Sequence, residues 1–388
     1  MPENRAPGAA VTGSAIVVGA GIFGISIADH LAGSGWDVEI IERHHPGHPT
    51  QSSGGETRLI RCGHGEDAWY TAMAWRARTM WGEIEDDTGA DLLVRSGVVW
   101  FGSAAGWVTA SHHTMGQLRI PSELIDEARL RRLFPSIDTS DIEAAVYEPE
   151  AGVLRAAHAV EVLARRAQDR GARLTNARAQ PDGAGLTVDG VRRGADVVVW
   201  ACGPWLPRLF PELVEASVTK QDVVFYRVGP EWAAPGVPGW IDLDRAMYGC
   251  GDVDGRGFKA SSDIDGPDFD PDTGERLAST ENLERCRRYL ARRFPGIADA
   301  AVTLTRTCQY TSTADGQWII APHPEHPQVW LVGAGSGHGF KHGPALGEYV
   351  AALIDGRAQP EARLGLGPRS VAGNLRTGQP TDESHRLS

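Results

Sequence analysis

The chain has 388 residues, of which 41% are hydrophobic, and its formal net charge is −12. A chain of this length is too long to fold around one ordinary hydrophobic core. The negative charge argues against nucleic acid or anionic membranes as partners. No apolar run approaches the ~20 residues that a membrane span requires. The five cysteines are scattered without a C-x-x-C pair, which fits a reducing cytoplasm and predicts neither disulfides nor a metal site.

Both ends of the chain are polar. Residues 1–13 are rich in proline and glycine and lack a basic segment followed by an apolar core, and the tail from Arg369 onward is also polar. We therefore predict disorder in residues 1–13 and 369–388, and no signal peptide.

The first predicted elements form a strand–helix–strand unit. An apolar β-branched run at residues 15–18 predicts a buried parallel strand. A second run at residues 38–41 ends at the acid Glu42. Between the runs lies the motif G-x-G-x-x-G, followed by an apolar helical pattern; the motif glycines are Gly19, Gly21 and Gly24.

Each part of this unit suits a bound dinucleotide. Gly19 allows the tight turn, Gly21 lets the backbone approach a pyrophosphate, and Gly24 lets the helix and strand pack closely. The helix N-terminus faces the phosphates. Glu42 stands 23 residues after Gly19, where a carboxylate accepts hydrogen bonds from ribose hydroxyls. The motif predicts a dinucleotide and leaves NAD and FAD as alternatives.

The rest of the chain contains no internal repeat. A polar loop is predicted at residues 51–61, helices at 68–84, 159–170, around 283–294 and from 344, and strands at 97–102, 197–201, 222–228, 247–261 and 329–332. Signatures of a nucleotide-binding domain recur at the start, near residue 200 and near residue 335, with strand-rich material between them. This order predicts an α/β fold in which a discontinuous nucleotide-binding domain carries an inserted second domain.

Further motifs follow the glycine motif: SGGETRLIR at 53–61, YGCG followed by GFK at 248–259, CQYT at 308–311 before DGQWII, and SGHGFK at 336–341. In this order they resemble the monomeric sarcosine oxidase-like family of FAD-dependent amine oxidases, in the glycine/D-amino-acid oxidase superfamily. The resemblance implies a discontinuous Rossmann-type FAD-binding domain and an inserted α+β substrate domain, whose mixed, largely antiparallel sheet covers the flavin. The implied boundaries are 1–88, 153–219 and 318–388 for the first domain, and 89–152 and 220–317 for the second.

The resemblance also implies the FAD contacts. Together with the glycine motif it assigns them to Gly19, Gly21, Ile22, Phe23, Gly24, Glu42, Arg43, Ser53, Thr57, Arg58, Cys202, Gly203, Trp205, Cys308, Gly335, Gly337, His338, Gly339, Phe340 and Lys341. Cys308 matches the cysteine that forms a thioether with the flavin 8α-methyl group in covalent members of the family; a buried packing cysteine is the alternative. His338 is expected to be a loop residue and not a catalytic base.

Catalytic and substrate-binding roles follow from the same resemblance. The resemblance implies that Lys259, Arg58 and Tyr248 lie near the flavin as catalytic residues. There the fixed positive charge of Lys259 would assist the reaction with O2; the alternative is that Lys259 is a surface lysine. Arg61 and Lys341 match the pair that binds the substrate carboxylate, since arginine offers a bidentate fork and lysine a point charge. Tyr310 and Asp263 complete the implied substrate-binding set.

Two residues depart from the family pattern and bear on the substrate. Cys62 and Asp263 stand where sarcosine oxidases carry histidines, and the carboxylate of Asp263 would repel a nearby substrate acid or attract a second amine. The expected substrate is therefore a bulkier N-substituted glycine, a cyclic imino acid or an amino acid with a longer side chain, in place of sarcosine.

The function predicted from the resemblance is oxidation of the C–N bond of a secondary or primary amino acid by FAD, with O2 reduced to H2O2 and an imine that hydrolyses. A cytoplasmic monomer or weak homodimer is expected. The alternatives are a dehydrogenase of the same fold that passes electrons to a quinone or carrier protein, an NAD(P)-dependent dehydrogenase, and an FAD-binding protein without turnover.

Overall fold

The fold is given by a computed structural model that describes residues 12–102 and 105–370. Its helices are α1 (Ile22–Gly33), α2 (Ala68–Thr88), α3 (Ala105–Gln117), α4 (Glu127–Leu133), α5 (Ala156–Asp169), α6 (Leu206–Leu209), α7 (Thr280–Arg293) and α8 (Gly343–Ile354). Its strands are β1 (Ser14–Val18), β2 (Asp37–Glu42), β3 (Thr57–Ile60), β4 (Leu93–Val94), β5 (Val98–Gly102), β6 (Glu123–Leu124), β7 (Ala144–Glu148), β8 (Gly152–Arg155), β9 (Arg173–Asn176), β10 (Ala179–Asp182), β11 (Gly185–Val188), β12 (Val191–Arg193), β13 (Val197–Trp200), β14 (Ser217–Tyr226), β15 (Gly239–Asp242), β16 (Met247–Cys250), β17 (Phe258–Ser262), β18 (Val302–Ser312), β19 (Ile319–Pro322) and β20 (Val329–Gly333).

The first sheet gathers strands from distant parts of the chain. Its order is β19-β20-β13-β1-β2-β9, and the strands from β20 to β9 are parallel, whereas β19 is antiparallel to β20. Helix α1 packs against α8 and α5 on this sheet. A Cβ at Gly347 would lie 2.5 Å from the backbone oxygen of Ser26, so glycine permits the close approach of α8 to α1. This sheet confirms the predicted discontinuous α/β fold.

The second large sheet is mixed and mainly antiparallel, as predicted. Its order is β18-β14-β17-β16-β15-β5-β7-β6, and the pair of β15 with β5 is parallel. Helix α7 covers its apolar face, where Trp240 and Phe258 of the sheet pack against Phe294 at the end of the helix. The sheet carries Tyr248 and Cys308 on different strands. The domain boundaries given above stay a prediction.

Several local predictions are refined by the structure. The predicted loop at residues 51–61 contains β3, which pairs with β8 about a hundred positions later and therefore leaves no local signal. The predicted strand at 247–261 is two strands, because Gly255 and Gly257, with φ of +71° and +106°, turn the chain between them.

The structure describes only a few of the terminal residues for which disorder is predicted. Residues 1–11 and 371–388 lie outside the described range. Arg369 is fixed by an ion pair with Asp315 at 2.9 Å, so the predicted C-terminal disorder does not include this residue. Among the described helices, none has the length and apolar character that crossing a membrane requires.

Candidate active site

A cavity of about 450 Å³ lies between the two large sheets. The residues at or just after the carboxyl ends of β1, β2, β13 and β20 line one side of it, and these include Gly19, Glu42, Cys202 and Gly333. Ligands of open parallel sheets bind in the crevice outside these strand ends. The position of the cavity therefore agrees with a site for a nucleotide cofactor.

Most of the predicted cofactor residues line this cavity. They are Gly19, Gly21, Ile22, Phe23, Glu42, Arg43, Ser53, Arg58, Cys202, Gly203, Trp205, Gly335, Gly337, His338, Gly339, Phe340 and Lys341. The exceptions are Gly24, Thr57 and Cys308. A Cβ at Gly24 would lie 1.9 Å from the carbonyl oxygen of Gly19, so Gly24 serves the close packing of helix and turn. Thr57 and Cys308 line a neighbouring cavity of about 450 Å³.

The glycine turn has the shape that a pyrophosphate requires. Gly19 has φ of +101°, and a Cβ there would lie 2.5 Å from the carbonyl oxygen of Ala201. Helix α1 begins directly after Gly21, and the hydroxyl of Ser53 accepts a hydrogen bond from the amide of Ile22 at 2.9 Å. A turn without side chains, followed by a helix N-terminus, fits an anionic phosphate group.

Glu42 supports the turn as well as facing the cavity. Its carboxylate accepts hydrogen bonds from the amide of Ala20 at 2.8 Å, the side chain of Gln51 at 3.0 Å and the amide of His44 at 2.9 Å. Gln51, which the sequence prediction missed, thereby links the glycine turn to the segment that precedes Arg58.

An aromatic and charged group closes the end of the cavity beside Glu42. The guanidinium of Arg43 lies 3.9 Å from the ring centre of Trp205. Asp272 binds both residues, with an ion pair of 2.7 Å to Arg43 and a hydrogen bond of 3.0 Å from the indole nitrogen. Trp205 and Arg43 were predicted from the sequence, whereas Asp272 was not.

Two buried positive side chains, Arg61 and Lys341, meet at the other end. Arg61 is 6% exposed and Lys341 is 3% exposed. Burial, reinforced by the charge of Arg61, lowers the pKa of Lys341 well below its usual value. Both residues line the cavity. An anion bound there would relieve the repulsion between the two groups.

Glu148 holds Arg61 in place, although no sequence motif marked this residue. The guanidinium of Arg61 lies 4.2 Å from the ring centre of Trp100 and donates to the carbonyl of Gly63 at 2.5 Å. The carboxylate of Glu148 accepts from the amides of Cys62 and Gly63, at 2.5 and 3.2 Å, and from the Trp100 indole at 2.7 Å. It therefore fixes the Trp100 ring and the turn at Gly63, both of which contact Arg61.

The predicted substrate residues lie together beside this pair of cations. Tyr248, Tyr310 and Asp263 all line the cavity. The hydroxyls of Tyr248 and Tyr310 are 3.4 Å apart. Burial, together with the charge of Asp263, raises the pKa of Tyr248 to about 12. The site thus combines two cations, two phenols and one carboxylate.

Lys259 and Cys308 line the neighbouring cavity, and the ammonium of Lys259 lies 4.9 Å from the ring centre of Tyr248. Lys259 is 2% exposed, its ammonium donates to the carbonyl of Thr57 at 3.4 Å, and burial lowers its pKa to about 8. The sulfur of Cys308 accepts a hydrogen bond from Arg58 at 3.4 Å. Arg58 lines both cavities, so they meet at its side chain.

Comparison with known proteins identifies the family. Residues 14–353 match the family model of FAD dependent oxidoreductases. The chain belongs to this family. The resemblance inferred from the sequence motifs is therefore confirmed, and the residues of the glycine turn and of the cavity fit FAD.

The FAD dependent oxidoreductases similar to this chain include named amine oxidases. The monomeric sarcosine oxidase of Streptomyces avermitilis is 30% identical over 383 residues, which cover 92% of this chain and 97% of the relative. The N-methyl-L-tryptophan oxidase of Citrobacter koseri is 28% identical over 364 residues, covering 88% and 95%.

Solved structures share the fold of this family member. A fructosyl peptide oxidase from Aspergillus nidulans superimposes with a TM-score of 0.81 at 18% identity, covering 96% of this chain and 97% of that one. The L-proline dehydrogenase of P. horikoshii gives 0.79 at 21% identity, covering 89% and 94%. An oxidase and a dehydrogenase thus share this fold, and the fold alone does not determine the electron acceptor.

Proposed function

We propose that this protein uses FAD to oxidise the C–N bond of an amino acid with a secondary or primary amine, and that O2 accepts the electrons. The pair of buried cations, Arg61 and Lys341, at the end of an FAD-type cavity carries this proposal. Such a pair matches a substrate carboxylate, which arginine binds in a bidentate manner. The names of the related oxidases support the same class of substrate.

The side chains bind and orient the substrate in this proposal. Arg61 and Lys341 hold the carboxylate, and Tyr248 and Tyr310 border the amine and exclude water. The amine must be neutral, so that its lone pair is available as the C–H bond breaks. FAD, when bound, supplies the acceptor for the hydride equivalent. The product imine hydrolyses in water, and O2 is reduced to H2O2.

Two further roles belong to the proposal. Cys308 would hold the cofactor through a thioether to the 8α carbon of FAD, with a C–H bond lost at that carbon and its two electrons passing through the flavin to O2. The Arg58 guanidinium 3.4 Å from the sulfur supports this role, since a positive charge favours the attacking thiolate. Lys259 supplies the positive charge at the oxygen site, which is supported by its burial beside Arg58.

An anaerobic screen of amino acids and N-alkyl amino acids tests the proposed function. Bleaching of the flavin absorbance by one of them, followed by O2 consumption and H2O2 formation on aeration, is the expected result. Bleaching without O2 consumption would favour the dehydrogenase. A flavin that no amine bleaches would favour a binding protein without turnover.

Replacing Arg61 with alanine should raise the KM of the true substrate by about 10- to 150-fold, because a charge-assisted contact contributes about 1.5–3 kcal/mol. The measurement compares KM for the amino acid with KM for the corresponding amine that lacks the carboxylate. The second value should change little, because this amine has no group for Arg61 to bind.

Arg43→Ala provides the matched control for Arg61. Arg43 lines the same cavity but contacts Trp205 and Asp272, so its loss should leave the substrate KM unchanged in protein that carries FAD. An unchanged KM in the Arg61 variant would show that the carboxylate binds elsewhere.

Replacing Asp263 with asparagine tests the predicted preference for a substrate with a second positive group. The KM of the variant for such a substrate should rise about tenfold or more, because one charge-assisted contact contributes about 1.5 kcal/mol or more. N-methyl amino acids with apolar side chains should bind more tightly to the variant, since their carboxylate no longer faces a negative charge. Equal changes for both substrates would contradict this role of Asp263.

A further inference from the structure

Three buried histidines meet behind Arg61 and Lys341, the two residues proposed to bind the substrate carboxylate. His64, His338 and His342 are 3%, 5% and 0% exposed, and one ring nitrogen from each lies within 4.8 Å of the others. His64 follows β3 and the Arg61 turn, His338 belongs to the glycine loop, and His342 directly precedes α8. The group, which we call the histidine cluster, therefore joins three separate segments of the chain.

The hydrogen bonds of two cluster members orient their rings. Nδ1 of His64 lies 2.8 Å from the carbonyl oxygen of Cys62, and Nε2 of His338 lies 3.1 Å from that of Gly316. A carbonyl oxygen only accepts, so these two nitrogens carry the proton and the other nitrogen of each ring has the lone pair. Histidines that ligate metals have this arrangement, with the second ring nitrogen donating to a carbonyl or carboxylate.

The third member has no comparable partner. Within residues 12–102 and 105–370, neither ring nitrogen of His342 has a hydrogen bond, and Nε2 of His64 also lacks one. Buried polar atoms are nearly always paired, and an exception points to a water or an ion that the protein binds. Tyr70 and Trp318 pack around the rings, with centroid distances of 5.1 Å from Tyr70 to His338 and 4.9 Å from Trp318 to His342.

We propose that the histidine cluster binds one transition-metal ion of the Zn²⁺ type through its three imidazoles. Zinc bound at about 2.0–2.1 Å separates its nitrogen ligands by about 3.3–3.5 Å, which small ring rotations would reach from the observed spacing. The cluster offers no carboxylate, so Mg²⁺ and Ca²⁺, which take oxygen ligands, are excluded as occupants. The sequence predicted no metal site, because these histidines are 274 and 4 positions apart.

The surroundings determine how the site behaves. The adjacent Lys341 works against a bound cation, so all three imidazoles are needed and the loss of any one should abolish binding. A bound ion would tie the Arg61 segment to the Lys341 segment, and so hold the two carboxylate-binding residues in a fixed relation. Metal removal should therefore lower the melting temperature as well as raise the substrate KM.

Zinc binding to the purified flavin-containing protein tests the proposal. The protein is stripped with a chelator, dialysed against Zn²⁺ and assayed for metal by elemental analysis, and its zinc is examined by X-ray absorption. We expect about one zinc per chain with nitrogen ligands at about 2.0–2.1 Å. His342→Phe should bind none, with its fold checked by its flavin absorbance and by a cooperative unfolding transition.

A surface group of histidines provides the control. His44, His45 and His48 pack together, and His48→Asn removes adventitious zinc binding there without touching the cluster. If the His48→Asn variant keeps its zinc, the proposal is supported. If that variant loses the zinc while His342→Phe keeps it, the proposal is overturned. A folded native protein that binds no zinc overturns it as well, and the X-ray absorption result decides the matter even if His342→Phe does not fold.

Discussion

Replacing Lys259 with methionine is expected to slow the reaction with O2 by about 10²–10³-fold, which is the usual cost of one preorganised charge-stabilising group. Oxygen reduction creates a negative charge in a site shielded from water, where one fixed cation counts for more than in solvent. Oxidation of the amine places no negative charge at the oxygen site and should slow much less. Stopped-flow measurements of the two half-reactions separate these effects, and reduced enzyme should accumulate during aerobic turnover.

The pH dependence of the oxygen reaction follows from the same residue. Burial lowers the pKa of Lys259 to about 8, so the side chain is positive below that pH and neutral above it. The oxygen rate should therefore fall as the pH rises through about 8. The methionine variant should lack this step, because it has no proton to lose at this position.

Lys220→Met is the matched control. Lys220 lies outside both cavities, pairs with Asp222 at 3.8 Å and donates to the carbonyl of Leu277 at 2.5 Å. Its loss should change neither half-reaction. Equal slowing of both half-reactions in the Lys259 variant would assign this residue to the substrate, and no change in either would contradict a role in catalysis.

The parts of the site that residue spacing alone predicted are those whose determinants lie close together in the chain, whereas Arg61, Lys341 and Tyr248 were predicted from the family resemblance. The glycine turn, helix α1 and Glu42 fall within one strand–helix–strand unit, so spacing and residue type were sufficient. The predicted tight turn is observed at Gly19, whose φ is +101°. Gly24 was assigned both close packing and cofactor contact; it lines neither cavity, and a Cβ there would lie 1.9 Å from the carbonyl oxygen of Gly19, which supports the packing role.

Glu148 and Asp272, which the sequence did not predict, act on partners that are distant in the chain. Glu148 binds the amide of Cys62, 86 positions away, and Asp272 binds Arg43, 229 positions away. No local pattern marks such acids, because strand pairing brings them to the site. The small number of lysines could have indicated the site from the sequence. The chain contains three, Lys220, Lys259 and Lys341, and two of them line the cavities.

Cys308→Ser is expected to abolish covalent attachment while leaving the fold able to bind FAD. The hydroxyl of serine is a weak nucleophile at neutral pH, whereas the thiolate is a strong one, and the nearby Arg58 would stabilise it. After acid precipitation, the native protein should keep its yellow colour in the pellet. The serine variant should release all of it into the supernatant.

Cys202→Ser is the control that distinguishes loss of the attaching cysteine from loss of any thiol at the cofactor site. Cys202 lines the main cavity and its sulfur donates to the carbonyl of Val18 at 3.4 Å, a contact that serine can also make. This variant should therefore retain the flavin in the pellet, as the native protein does. Free flavin from the native protein would show that FAD is held without a covalent bond, and retention in the Cys308 variant would assign the attachment to another residue.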